Sequence, residues 1–118
     1  MKVRDLAERL GIDVVAGEKG LDREVKDGYC GDLLSDVMGN APVESVWLTV
    51  QGHQNIVAVA VLREITGIVL TGGQKPEEAA KTRADEEGIP ILLWEKSTYE
   101  LAGKLYSAGV GAMGAEKV

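Results

Sequence analysis

Ile68-Val69-Leu70-Thr71-Gly72-Gly73 constrains this chain more than any other stretch. A short apolar run stops abruptly at a small hydroxyl residue and two glycines. Pro76 and a charged, helix-like segment follow. A buried strand that ends in a tight turn and feeds a helix has this signature. Strands buried on both faces belong to parallel sheets covered by helices, so the stretch selects an α/β fold. It also nominates a place for function, because ligands of open α/β sheets sit where strands end in such turns.

Composition sets the limits around that reading. A chain of 118 residues suits one domain with one core. Hydrophobic residues make up 45%, but aromatics only 4% with no Phe, so Val, Ile, Leu and Ala must fill the interior. The formal net charge of −6, with no basic stripe, argues against a nucleic-acid partner, which needs clustered Lys and Arg. Cys30, the single cysteine, has no internal disulfide partner, and a reducing compartment is the simpler expectation. The amino terminus opens as a charged amphipathic segment unlike a signal peptide. The longest apolar run, 56–62, falls far short of a bilayer span of about 20 residues. A cytoplasmic chain without a membrane partner is therefore expected.

The hydrophobic pattern predicts an order of elements. Val3, Leu6, Ala7 and Leu10 share one face of a helix over 2–11. With the apolar residues 12–16 this makes an αβ extension over 1–20, ahead of a core at about 22–110. A strand is expected over 24–29. Asp32 reads as the N-cap of a helix reaching Met38, with Leu33, Leu34 and Val37 on its apolar side. From residue 46 the pattern becomes regular: strands at 46–50, 67–70 and 89–94 alternate with helices at 53–64, 76–87 and 97–108. Short turns between them imply parallel pairing. The β-branched residues of 56–62 favour a strand by propensity. A strand there would leave no crossover between parallel neighbours, so a buried helix is preferred. Such a helix is apolar on nearly every side and must lie between the sheet and something else. A second subunit is the candidate, which places Ile56, Val57, Val59 and Ala60 at a dimer interface. The Gly- and Ala-rich tail over 111–118 reads as flexible. The expected architecture is a three-layer α/β domain with a mainly parallel sheet flanked by helices.

Chemistry collects at the carboxyl ends of the three regular strands. Thr49, Gln51, His53, Gln54 and Asn55 follow the first, and Thr71, Gly72 and Gly73 the second. Glu95, Lys96, Ser97 and Thr98 follow the third. Each set precedes a helix N-terminus, whose unpaired N–H groups favour an anion. Turn and capping chemistry explains the same residue types equally well. His53, the only histidine, serves as a general base or as a capping or interface residue. Asp32 and Asp36 stand four apart and can work as paired carboxylates, or as a cap and a solvated charge. Gly67 and Gly72 have P-loop separation, but Gly73-Gln74 stands where Lys and then Ser or Thr are required. No catalytic residue, metal or cofactor is assigned.

The segments 28–38, 47–60 and 67–73 resemble the DRTGG domain family, and the likeness continues through Gly88-Ile89-Pro90-Ile91-Leu92. The segments Asp32-Leu33-Leu34-Ser35-Asp36-Val37 and Thr49-Val50-Gln51-Gly52-His53-Gln54-Asn55 are its most specific parts. The chain keeps Thr71-Gly72-Gly73 but has Val69 and Leu70 where the family's name has Asp and Arg. The resemblance implies an α/β fold similar to the N-terminal domain of HPr kinase/phosphorylase, without that enzyme's catalytic P-loop. It implies a regulatory role, since such domains accompany CBS domains in regulated pyrophosphatases and occur in some phosphotransacetylases. It also implies a contribution to dimer contacts. The expectation is a non-catalytic regulatory and dimerisation module, a homodimer that senses a small phosphorylated ligand or nucleotide. An adenine-nucleotide sensor is the alternative. An enzyme using His53 with Asp32 or Asp36 is the third reading.

Overall fold

The computed structural model describes residues 1–111. The elements run α1 (Val3–Leu10), β1 (Asp13–Ala16), β2 (Asp27–Cys30), α2 (Leu34–Asn40), β3 (Ser45–Thr49) and α3 (Asn55–Leu62). They continue with β4 (Gly67–Leu70), α4 (Glu78–Glu87), β5 (Ile91–Leu93) and α5 (Thr98–Ser107). One five-stranded sheet has the order β1-β5-β4-β3-β2. β2 to β5 are parallel, and β1 closes the far edge antiparallel to β5.

Alternation along the strands builds two cores. Trp47, Ile68, Leu70 and Ile91 point to one face, where α2, α3 and α4 cover them. Val46, Leu48, Val69 and Leu92 point to the other, under α1 and α5. Both faces of the parallel strands are buried, which is why these strands read as continuous apolar runs. The three layers and the mainly parallel sheet are those expected.

α3 forms despite its β-branched residues because β3 and β4 are parallel neighbours and need a crossover. Ile56, Val57 and Ala60 are 0% exposed and Val59 is 7% exposed. Burial within one chain thus corrects their expected place at a dimer interface. The sheet covers one side of α3, and α2 and α4 pack beside it. Its open side carries Val61 and Leu62, 39% and 70% exposed.

Three other expectations shift. Residues 1–20 are no appendage, since β1 pairs with β5 and Val3 and Leu6 enter the second core. β2 starts at Asp27 and not at residue 24, because the chain before it runs beside the N-terminal segment. There the Val3 N–H donates to the Arg23 carbonyl and the Val25 N–H to the Met1 carbonyl. Asp32 is not the cap of α2; Leu33 holds that position and is exposed. The expected flexible tail falls, from residue 112 on, outside the described residues.

Candidate functional site

The four parallel strands end on one edge, and the chain then turns to opposite faces. β2, β3 and β4 are followed by α2, α3 and α4 on one face, whereas β5 is followed by α5 on the other. The switch between faces therefore falls between β4 and β5. Connections that diverge in this way open a crevice beyond the strand ends. Thr71-Gly72-Gly73 stands on its β4 side, and 94–98 on its β5 side.

The turn closes the base of that crevice. The Gly72 N–H donates to the Lys96 carbonyl at 2.7 Å, and the Gly73 N–H to the Trp94 carbonyl at 3.3 Å. The Thr71 side chain is 0% exposed. Its hydroxyl lies 2.6 Å from that of Thr98, and its N–H donates to the Thr49 carbonyl at 3.0 Å. The two glycines adopt φ of +69° and +77°, which turns their N–H groups onto the neighbouring loop. The sequence left two readings of these N–H groups open, an anion site and a structural turn. They are donated to protein carbonyls, which makes the turn a joint between β4 and the β5–α5 loop.

A second joint ties β2 to β3. Asp32 Oδ1 accepts from the Thr49 hydroxyl at 2.8 Å and the Val50 N–H at 2.9 Å. The Gln51 side chain returns a donor to the Asp32 carbonyl at 2.9 Å, and the Gln51 N–H donates to Thr49 Oγ1 at 3.2 Å. Asp32 and Thr98 are thus the edge residues whose roles the sequence pattern missed. The signal for Asp32 was its distance from a strand end. It stands two residues past β2, as Gln51 does past β3 and Gly72 past β4.

The acid–base candidates are not brought together. His53 Nδ1 accepts the Asn55 N–H at 3.1 Å and so caps α3, which places the ring proton on Nε2. Nε2 faces Glu77 Oε1 at 4.0 Å, with both side chains about half exposed. Asp36 accepts the Tyr29 hydroxyl at 2.6 Å and the Asn40 amide at 3.0 Å. That bond, then burial, raises the Tyr29 phenol above its ordinary value. Gln54 and Asn55 are exposed at the start of α3. Gly52 is pinned: its carbonyl accepts the Glu77 N–H at 2.9 Å, and a side chain there would overlap the Lys75 carbonyl.

What stays open is a crevice of about 280 Å³ on the outer side of the Gly72–Gly73 joint. Gly73, Gln74 and Lys75 form one wall and Leu93, Trp94 and Glu95 the other, with Asp13 of β1 at the mouth. One ammonium faces two carboxylates, so the crevice suits a neutral or amine-bearing group better than a bare phosphate.

Fold and edge together define a small three-layer α/β domain whose parallel strands end at a polar, internally bonded rim. The DRTGG domain family model matches residues 5–108, and the chain belongs to that family, which is of regulatory type. The match takes in α1 and β1. No curated protein matches the chain. Among the described residues, no helix is long and apolar enough to cross a membrane.

Proposed function

We propose that this chain is a non-catalytic regulatory module that acts by binding. The observation that carries this reading is the commitment of its reactive groups. Asp32, Asp36, His53 Nδ1 and the N–H groups of Gly72 and Gly73 each hold a structural partner. Acid–base catalysis needs a group free to reach the proton that it moves. The crevice between β4 and β5 is the ligand site that this reading favours, and a nucleotide is the ligand class. Its base and sugar would enter between Trp94 and Gln74, and Lys75 is the cation on the wall for a phosphate.

Thermal unfolding and calorimetry with ATP, ADP, AMP, adenosine and acetyl phosphate test the reading. A ligand at about 100 times its Kd adds about 2.7 kcal/mol of stability. The expected result is comparable stabilisation by adenosine and its nucleotides, with Lys75→Ala weakening the nucleotides only slightly and adenosine not at all. Absence of any shift at millimolar concentration removes the ligand arm. Turnover of any of these compounds that is lost in a folded His53→Ala variant overturns the non-catalytic reading.

Self-association is a second reading, and specific exposed apolar residues favour it. Val43 and Leu62 are 51% and 70% exposed at neighbouring ends of β3 and α3. Light scattering at micromolar concentration decides it: a dimer that Leu62→Asp dissolves supports the reading, and a clean monomer removes it.

A further inference from the structure

The opposite end of the sheet from the crevice carries a feature that the proposed function does not use. Among the described residues β2 pairs only with β3, so its outer edge offers backbone donors and acceptors without a strand beside them. A groove of about 260 Å³ runs along that edge, between β2 and α5. It exists because β2 turns Gly28 and Cys30 toward the α5 face, where a strand of this sheet otherwise carries a large apolar residue. Gly28 pairs with Val46 and Cys30 with Leu48, both members of the α5-side core. With so little bulk above them, Leu48, Leu105 and Val110 become the floor and far wall of a notch.

The mouth of the groove is negative. Asp27 is the one charged residue on its lining, and no ion pair engages it among the described residues. Its carboxylate accepts the Gly28 N–H at 2.8 Å, taking the place that the carbonyl of an added strand would fill. The whole chain carries −6. Once the Asp27 carboxylate yields the Gly28 N–H, the free strand edge, an apolar notch for one side chain and a carboxylate at the mouth are the parts of a β-augmentation site.

We propose that the β2 edge docks an extended peptide segment of a partner protein, one that places an apolar side chain in the notch and Lys or Arg beside Asp27. Main-chain hydrogen bonds to β2 would supply affinity, and the notch and the Asp27 carboxylate would supply selectivity. A segment broken by proline could not pair with the edge.

Cys30, the only cysteine, lies in the groove and reports its occupancy. The probe is a random heptapeptide library displayed on phage and panned on the full chain. Synthetic copies of the selected peptides are then tested for protection of Cys30 from iodoacetamide. The expected outcome is a selected set of alternating apolar and basic residues without proline. A peptide at about ten times its Kd should slow alkylation about tenfold. Asp27→Lys should abolish selection of the basic set, and Cys30→Trp, which fills the notch, should abolish binding of the synthetic peptides. Asp27→Lys alters a rim position, so it remains informative if Cys30→Trp does not fold. The proposal is overturned if no peptide family is enriched, or if the enriched family binds both variants as well as the parent chain. It is also overturned if Cys30 is protected without peptide in a manner that grows with protein concentration, because a second copy then occupies the edge. Nucleotide binding at the β4–β5 crevice plays no part in either readout.

Discussion

If Thr71-Gly72-Gly73 is a joint, its glycines are required for their backbone angles and not for room. A Cβ built on Gly72 meets nothing within 4 Å, and one on Gly73 meets only the Glu95 carbonyl at 3.9 Å. Alanine therefore fits both sites sterically but must adopt φ of +69° or +77°. The left-handed region costs an L-residue about 1–2 kcal/mol, so Gly72→Ala should lose that much stability. Unfolding entropy of about 2.1 cal/mol/K per residue gives about 0.25 kcal/mol/K for a chain of 118 residues. The loss then lowers Tm by about 4–8 °C. The double variant with Gly73→Ala should lose at most about 2–4 kcal/mol, since adjacent sites share one turn and need not add. Urea titration followed by tryptophan fluorescence reads this directly. The Trp94 and Trp47 ring N–H groups donate to the Ser97 and Gly31 carbonyls, so both rings report on this edge. Gly72→Asn is the control, because asparagine tolerates the left-handed region better than alanine. An alanine variant as stable as the parent, or an asparagine variant no better than alanine, would refute the conformational argument. A Gly72→Ala protein of parental stability that no longer bound a nucleotide would make the turn a ligand element.

Gly52→Ala tests the opposite requirement: its Cβ would overlap the Lys75 carbonyl, and because the obstacle is backbone and not a flexible side chain, the loss should reach the upper part of the about 1–3 kcal/mol range for overpacking. Urea titration against Gly72→Ala gives the comparison. Gly103, inside α5 with open space around its Cβ, should gain about 0.5–1 kcal/mol on replacement by alanine, seen as a rise in Tm. Val59→Asp should leave no folded chain, since it buries a carboxylate among apolar side chains, whereas Leu62→Asp should keep the parental circular-dichroism spectrum and unfolding curve. Tyr29 governs an alkaline limb. Its folded pKa lies above the ordinary 10.0, so the Tyr29–Asp36 bond contributes fully below that value and is lost as pH rises through the raised one. A plot of unfolding free energy against pH should bend there in the parent chain and lose that bend in Tyr29→Phe.

The legible parts of this fold were those in which one physical requirement acted alone. Gly67–Leu70 matched its strand to the residue because burial on both faces leaves only apolar choices, and glycines bound the run. α3 was legible against its own propensity because chain connectivity outranked it. The start of α5 was legible to within one residue, Ser97 or Thr98, and it is Ser97 whose Oγ accepts the Glu100 N–H at 3.1 Å. The parts that were not legible depend on partners distant in sequence. β2 was misplaced because Val25 is apolar for the sake of the α1-side core and not of a strand. Asp32 passed for a helix cap because capping and cross-strand bonding ask the same of a carboxylate, namely that it accept a backbone N–H. Here it accepts from Val50, eighteen positions on, instead of from the start of α2.

The same ambiguity governs the candidate site, and the topology resolves part of it. A crevice at the switch between faces is a consequence of β4 and β5 sending their chains to opposite sides, whatever residues stand there. Residue choice decides whether the crevice stays open to its base. Backbone donors at such a junction need partners, and the nearest are the carbonyls of the loop across it. Two glycines in the left-handed region reach them. Thr71 and Thr98 pair their hydroxyls below. Had Gly72 and Gly73 kept their N–H groups free, an anion would have been the natural partner and phosphate the natural ligand. With those donors used internally, the outer crevice remains, where Lys75 stands against Asp13 and Glu95. A ligand there must be recognised through shape and neutral hydrogen bonding, with charge in a minor part. This is why adenosine belongs beside ATP in the binding panel: comparable stabilisation by the two would follow from this geometry, and a strict need for phosphate would contradict it.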